Sequence, residues 1–342
     1  MKQKTITMTE KESKRYKVIK SLIDEVIDET CYRIKKRDNM SMNISKLSKD
    51  PRAIKALTGL SYQEFINLLS TFEKAYFDIL RQKPNRQRKV GGGKKGKLPT
   101  IESKLFFILF YLKVYPTFDV LGFMTDRDRG KCCRSAHILL RILKKTLGRE
   151  IVLPERKITS VEEFFEKFPE AKDIFIDGTE RRIQRPRSNK RNKKFYSGKK
   201  KSHTRKNVVV CDENKRILIV TPTKAGRRHD KRLSDKVGLI EKIPKDVGIW
   251  ADSGFQGIQH LHPNTLVCKR GRKNHPLTDS EKKENRVISS FRIVVENVIG
   301  GIKKYRSVSD VFRNKIGLLD DLFFEIASGL WNYHLSCKIY KN

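Results

Sequence analysis

An apolar run that leads into an aspartate occurs twice in this chain, and it limits the possible folds more than any other feature. In Asp173–Glu180, the residues Ile174–Ile176 precede Asp177, and in Val247–Gly254 Asp252 takes the same place. Runs of β-branched and aromatic residues favour buried strands, where aspartate is disfavoured. We therefore interpret both runs as strands, each bringing one carboxylate to its exposed end. For the first run, an Asp-Gly turn is the alternative.

The charge of the chain predicts a polyanionic partner. Its 342 residues include 76 Lys and Arg against 39 Asp and Glu, a formal net charge of +37. So large an excess repels itself unless a partner neutralises it. Nucleic acid is the leading candidate, and an anionic membrane surface is the second.

Several classes of protein are not expected. The longest apolar run, Leu105–Leu112, is far shorter than the roughly twenty residues that span a bilayer. The N-terminus is charged, unlike the apolar core of a signal peptide. None of the six cysteines forms a Cys-x-x-Cys pair, so neither a zinc site nor a disulfide framework is expected. A reducing cytoplasm fits this pattern best.

Composition and periodicity divide the chain into five segments. They are a polar N-terminal extension with one amphipathic helix (1–48), a helical domain (49–150), a connector (151–172), a second domain with the two aspartate strands (173–335) and a tail (336–342). In the helical domain, residues 99–147 have the rhythm of a helix-turn-helix unit, so we interpret this domain as DNA-binding.

Two basic segments are the expected contacts with DNA phosphates. The first is a glycine-rich linker over residues 84–97, and the second is residues 181–206, which hold thirteen positive charges and no acidic residue. Merely solvated surfaces are the alternative, but the overall charge favours phosphate contact. The lysines and arginines chosen from the two segments are Arg86, Arg88, Lys94, Lys95, Lys199, Lys200 and Lys201.

A third acidic residue lies on a predicted long helix. Thr278 and Glu281 form a capping-box pattern that opens this helix, and Glu296 lies further along it. Arg292 and Lys303 share its face, and we interpret both as DNA contacts. The alternative for Glu296 is an ordinary ion pair with Arg292, four residues earlier.

His229 and Asp230 are weaker candidates for this site. They follow Gly226 in a loop before a predicted helix. We interpret them as residues that surround the site without forming it. For Asp230 the alternative is to cap the N-terminus of that helix.

Three carboxylates that converge would suit phosphodiester chemistry. A pair of divalent ions about 4 Å apart can activate the attacking oxygen and stabilise the leaving oxygen. Mg²⁺ prefers hard oxygen ligands and keeps several waters, so Asp177, Asp252 and Glu296 would suffice.

The order of several sequence blocks resembles the DDE transposases of the Harbinger-like and insertion-sequence family 5 kind. The blocks are Asp177–Glu180, Phe195–Thr204, Gly226-x-x-His229-Asp230, Ala251–Gly257 and Ser289-x-x-Arg292-x-x-x-Glu296, followed by Gly300 and Lys303. The resemblance implies an α/β catalytic domain with an RNase H-like, mixed five-stranded sheet flanked by helices, preceded by a small all-α, helix-turn-helix-like domain.

The resemblance also implies the chemistry. Asp177, Asp252 and Glu296 would be catalytic and would bind two Mg²⁺ ions, for which Mn²⁺ would substitute, with no nucleotide cofactor. Activated water would cleave double-stranded DNA at the terminal inverted repeats, and the freed 3′-hydroxyls would attack target DNA. Both ends must meet, so a homodimer or larger assembly is expected. The alternatives are a DNA endonuclease without strand transfer and a domesticated, non-catalytic DNA-binding protein.

Overall fold

The computed structural model describes residues 50–82, 96–271 and 274–339, together with Ser21. The amphipathic helix predicted near the N-terminus lies outside these ranges. Among the described residues, no helix is both long and apolar enough to cross a bilayer.

The first half of the described chain is helical. Its helices are α1 (Pro51–Thr58), α2 (Tyr62–Arg81), α3 (Ile101–Val114), α4 (Phe118–Thr125), α5 (Arg129–Arg149) and α6 (Val161–Lys167). A capping box starts α2, because the side chains of Ser61 and Glu64 each accept a hydrogen bond from the other residue's backbone N–H. Gly130 lies in the first turn of α5. Asp128 accepts a hydrogen bond from the Lys131 N–H and so starts that helix.

The second half is a mixed sheet with helices. Its strands are β1 (Asp173–Arg182), β2 (Tyr196–Ser197), β3 (Ser202–Asp212), β4 (Ile217–Val220), β5 (Lys224–Ala225), β6 (Gly248–Ala251) and β7 (Thr265–Val267). Its helices are α7 (Asn189–Phe195), α8 (Asp230–Val237), α9 (Asp279–Lys303), α10 (Arg306–Ser309) and α11 (Leu319–Ile339). The predicted α/β class with a mixed sheet flanked by helices is confirmed.

The pairing of the strands defines the sheet. β3 lies antiparallel to both β1 and β4, whereas β6 lies parallel to both β1 and β7. The five longer strands therefore follow the spatial order β4-β3-β1-β6-β7. The described sheet has seven strands rather than the predicted five, because the two-residue strands β2 and β5 also pair with β3.

Alternate side chains of the strands contribute to two hydrophobic cores. Phe175 and Val209 face a core that includes the buried residues of α2, α3, α5, α9 and α11. Ile174 and Val210 face the other core, which is formed with α6 and α8. The first core is continuous from the helical half to the sheet, so α9 is held on both sides by buried apolar side chains.

Candidate active site

The two aspartates of the sequence pattern lie next to each other in the sheet. The parallel register of β1 and β6 ends with Ile176 opposite Ala251, so Asp177 and Asp252 both follow the last pair. The expectation that Asp177 stands at a strand end is wrong in detail. Its strand continues as a ribbon with β3, where Asp177 lies opposite Val209. The same pairing excludes the Asp-Gly turn.

One buried guanidinium faces both carboxylates. The Nη2 atom of Arg292 lies 3.7 Å from Oδ2 of Asp177, and its Nη1 atom lies 3.7 Å from Oδ1 of Asp252. These distances correspond to ion pairs without direct hydrogen bonds. Arg292 is only 7% exposed, and its Nε has no hydrogen-bond partner. The DNA contact predicted for Arg292 is untested, but in this structure the side chain faces the two acids.

Each aspartate also accepts a hydrogen bond from the backbone N–H of the residue after it. Oδ1 of Asp177 accepts a hydrogen bond of 2.7 Å from the Gly178 N–H. Oδ1 of Asp252 accepts a bond of the same length from the Ser253 N–H, where the 3₁₀ turn Ser253–Phe255 begins. Because these bonds hold one oxygen of each carboxylate, they restrict how the side chains can turn.

Helix α9 is held against this edge of the sheet by an aromatic contact. The Phe291 ring lies 4.6 Å from the Trp250 ring on β6, and the Trp250 Nε1–H donates a 2.8 Å hydrogen bond to Asp173 on β1. Further along the helix, Val295 and Val298 are fully buried. These contacts fix the rotation of α9 and thereby direct Arg292 towards the aspartates.

Asp177 is held in a state that disfavours its charge. Burial raises the pKa of its carboxyl group to about 6, and the nearby carboxylates of Asp252 and Asp230 act in the same direction. Arg292 and the Gly178 N–H oppose the rise in pKa. Two neighbouring carboxylates, one with a raised pKa, repel each other unless a cation lies between them. Such a pair is typical of a functional site that binds a metal ion.

Glu296 lies one helical turn after Arg292, on an exposed part of α9. The ion pairs of Arg292 are with Asp177 and Asp252, so the sequence alternative of an Arg292–Glu296 pair does not apply within the described residues. In that part of the chain, no three His, Cys, Asp or Glu side chains are grouped closely enough to hold a metal ion. The structure therefore brings Asp177 and Asp252 together and leaves Glu296 apart.

The neighbouring carboxylates of Asp177 and Asp252 suit a hard divalent cation. Asp177 and Asp252 offer oxygen ligands of the kind that Mg²⁺ and Mn²⁺ bind, and each presents an oxygen to a common positive group. That positive group, Arg292, is held only by long contacts. The residues present thus fit a divalent ion.

Of the predicted DNA contacts that the structure describes, Lys303 interacts electrostatically with Asp177. Lys199, Lys200 and Lys201 are exposed in the turn between β2 and β3. Desolvation lowers the pKa of Lys303, and the charge of Lys200 adds to this effect, whereas Asp177 opposes it. Lys200 and Lys303 therefore lie within electrostatic reach of each other at this site. Arg86, Arg88, Lys94 and Lys95 lie outside the described residues.

Part of the second basic segment faces inward, which its composition did not reveal. Arg181 is 3% exposed, lies over the ring of Phe324 at 4.3 Å, and is 3.8 Å from Asp320. Nε of Arg205 lies 2.7 Å from the same carboxylate oxygen. These arginines attach the sheet to the start of α11 and are not available to DNA.

The loop before α8 contributes a second polar group beside the aspartates. Asp230 is the first residue of α8, and His229 stands at its N-cap without a side-chain capping bond. The alternative in which Asp230 caps the helix is therefore wrong. Its Oδ1 lies 3.0 Å from Nζ of Lys206, and that ammonium lies 3.2 Å from Oε1 of Glu180.

Sequence reasoning missed Glu180 and Lys206. Both side chains are buried, and the two residues face each other across β1 and β3. Burial alone would lower the pKa of Lys206, but the charges of Asp230 and Glu180 outweigh it and hold the pKa above its usual value. The signal in the sequence was a charged residue beside an apolar strand, just before Asn207–Cys211.

Comparison with known proteins shows which family and which relatives the chain resembles. A family model described as DDE superfamily endonuclease matches residues 176–332, which include Asp177, Asp252 and Glu296. A probable transposase for the insertion sequence element IS702 of Microchaete diplosiphon is 28% identical over 291 residues, which cover 84% of this chain and 96% of that protein.

A second relative matches a shorter part. The transposase for the insertion sequence element IS1106 of Neisseria meningitidis serogroup B is 33% identical over 114 residues, covering 31% of this chain and 36% of that protein. No solved structure matches the chain significantly. Over residues 176–332, the chain is therefore similar to the DDE superfamily of endonucleases.

Proposed function

We propose that this protein is a transposase that cleaves DNA at the ends of an insertion element and joins the freed 3′-hydroxyls to target DNA. One observation carries the proposal: Asp177 and Asp252 each follow the last parallel pair between β1 and β6, and both face a common cation. The relatives named as transposases support the same activity.

The metal ligands in this proposal are Asp177, Asp252 and Glu296. Two Mg²⁺ ions, or Mn²⁺ in their place, would supply activation of the attacking oxygen and stabilisation of the leaving oxygen. The protein's own part is to orient Asp177 and Asp252 through the Gly178 and Ser253 N–H groups. Glu296 lies apart from them in this structure and would have to approach them from α9 when metal binds.

Basic side chains hold the DNA beside the aspartates. Lys199, Lys200 and Lys201 contact phosphates from the exposed β2–β3 turn, and Lys303 contacts a phosphate near the cut. Arg292 neutralises the aspartates until metal binds and then becomes free to contact a phosphate. Positioning of this kind keeps the attacking and leaving oxygens in line without a covalent enzyme intermediate.

The proposed architecture is more specific than the α/β class. The order β4-β3-β1-β6-β7, with β1, β3 and β4 antiparallel, supports an RNase H-like core. We assign the helix-turn-helix function to α3–α5, because α4 and α5 are separated by only three residues. The partners would be the terminal inverted repeats and target DNA, bound by a homodimer or larger assembly. In a bacterium, this assembly would act in the cytoplasm, at the nucleoid.

A strand-joining assay tests the proposal against a plain endonuclease. Oligonucleotides that carry pre-cut ends, taken from the DNA flanking the gene, are incubated with a supercoiled plasmid and Mg²⁺. We expect plasmid molecules covalently joined to the oligonucleotide 3′-ends. Cleavage without any joined product would support the endonuclease instead, and DNA binding without either reaction would support the domesticated protein.

A further inference from the structure

The carboxyl group of Asp230 rests against the two glycines that follow the active-site aspartates. A Cβ atom built on Gly178 would lie 2.2 Å from Oδ1 of Asp230, and one built on Gly254 would lie 3.1 Å from Oδ2. Carbon and oxygen do not approach to 2.2 Å without a bond, so residue 178 can only be glycine while Asp230 keeps this position. One carboxyl group thus lies against Gly178, the residue after Asp177 on β1, and against Gly254, in the 3₁₀ turn that follows Asp252.

A buried cation fixes this carboxyl group. The ammonium of Lys206 forms an ion pair with Oδ1 of Asp230 at 3.0 Å, donates a 3.2 Å hydrogen bond to the Arg228 carbonyl, and pairs with Glu180 on β1. Lys206 is 6% exposed, and the Glu180 side chain is 5% exposed. Ion pairs with so little solvent hold their partners more firmly than surface pairs do, because water does not screen the charges.

The loop that carries Asp230 is seated on the same strands. The Gly226 N–H donates a 2.9 Å hydrogen bond to the Thr204 carbonyl, and the Thr204 hydroxyl donates one of 2.6 Å to Glu180. A Cβ on Gly226 would lie 1.8 Å from that hydroxyl oxygen. The spacing Gly226-x-x-His229-Asp230 is therefore the spacing needed to lay the loop on β3 and bring a carboxylate to both glycines.

We propose that Asp230 is a positioning residue that sets the separation of Asp177 and Asp252, and that Lys206 and Glu180 hold it in place. The inference rests on the proposed metal site. Asp230 acts through the backbone at Gly178 and Gly254, and not as a ligand itself. Residues that orient metal ligands from behind typically change metal affinity by about 10- to 100-fold when they are removed.

The test is calorimetric titration of the full-length protein with Mn²⁺ alone. Asp230→Ala is expected to weaken Mn²⁺ binding by about 10- to 100-fold. Gly178→Ala is expected to weaken it comparably without any change in charge, because the added methyl displaces the Asp230 carboxyl group. In the double variant the methyl has room, so the affinity should equal that of Asp230→Ala alone.

Three controls separate positioning from general damage. Asp235→Ala removes an exposed acid of the same helix and should leave Mn²⁺ affinity unchanged. DNA affinity in EDTA and the melting temperature show whether each variant is folded. If Asp230→Ala does not fold, Lys206→Met replaces it in the test. This variant should also bind Mn²⁺ more weakly, because Asp230 then loses its buried cation.

The outcomes are distinct from those of the proposed function. Unchanged Mn²⁺ affinity in folded Asp230→Ala, or losses in the double variant equal to the product of the single losses, would overturn the inference while the proposed function stands. A wild-type protein that binds Mn²⁺ with the expected dependence on Asp230 but never cleaves DNA would refute the function and leave the inference intact. A wild-type protein that binds no Mn²⁺ would overturn both.

Discussion

Ile176 of β1 lies directly opposite Ala251 of β6, and this is the last parallel pair between the two strands. The next residue on each strand is an aspartate, so the register alone brings Asp177 and Asp252 to the same edge of the sheet. Parallel strands present their carboxyl ends together, and sites in α/β sheets commonly form at such edges.

The salt dependence of DNA binding should report the phosphates that the exposed turn between β2 and β3 contacts. Each phosphate neutralised contributes about 0.9 to the slope of log K against log salt concentration. We expect Lys200→Ala to reduce that slope by about 1 and to weaken binding to all sequences alike. Lys236→Ala, which removes an exposed lysine on α8, is the matched control and should leave the slope unchanged. Equal slopes for wild type and Lys200→Ala would remove this turn from the DNA interface.

Arg292 should compete with a divalent ion for the two aspartates. Arg292→Gln removes the only guanidinium that faces both carboxylates among the described residues, so Mn²⁺ should bind more tightly, by about tenfold, equivalent to about 1.4 kcal/mol. Calorimetric titration of the folded variant measures this change. Arg286→Gln, at an exposed position on the same helix, is the control. Weaker Mn²⁺ binding by Arg292→Gln would show that the guanidinium supports the site instead.

The contact of Phe291 with Trp250 should matter more than its exposure suggests. Phe291 is 49% exposed, yet its ring packs in a tilted arrangement against the Trp250 ring and so fixes the position of α9 on the sheet. Phe291→Ala should lower the free energy of unfolding by about 1 kcal/mol and slow DNA cleavage, because α9 also carries Arg292 and Glu296. Val287→Ala, on an equally exposed residue of α9, should do neither. Chemical denaturation and a cleavage assay measure the two effects.

The stability of the protein should depend on pH through Lys304. Burial lowers the pKa of this half-buried lysine to about 8 from 10.5, and Glu64 only partly opposes the change. Between those two pH values the unfolded chain binds more protons, so the contribution of Lys304 to stability rises with pH. We expect wild type to gain about 1–2 kcal/mol over Lys304→Met between pH 7.5 and pH 10.

The control for Lys304 is Lys55→Met, which removes an exposed lysine of α1. Its difference in unfolding free energy from wild type should stay nearly constant over the same pH range. The Lys304 ammonium donates a 3.2 Å hydrogen bond to the Gly59 carbonyl. Parallel curves of unfolding free energy against pH for wild type and Lys304→Met would contradict the burial of this ammonium.

Local patterns predicted the elements of this fold well. Capping signals fixed the starts of α2 and α9, because a Ser or Thr and a Glu three residues later bond each other's backbone. The apolar runs before Asp177 and Asp252 predicted strands, because such runs are buried on both faces of a sheet.

Long-range partners could not be predicted from the same patterns. The basic segment at 181–206 indicated DNA contact throughout, but Arg181 is neutralised by Asp320, far along the chain. In the same way, Lys206 pairs with Asp230, and the apparent capping residue becomes a buried ion-pair partner. Periodicity predicts which face of a helix or strand is buried, but it does not predict which charged residue, distant in the sequence, pairs with a charge on that face.

The most direct test of the central claim, that Asp177 and Asp252 act together in metal-dependent DNA cleavage, is the nicking of supercoiled plasmid in Mg²⁺ or Mn²⁺. We predict that Asp177→Asn and Asp252→Asn each reduce the cleavage rate by about 10³-fold or more. Their affinities for DNA in EDTA should stay within about twofold of wild type, because neither residue contacts phosphate directly. Cleavage by folded Asp177→Asn at the wild-type rate would contradict the account.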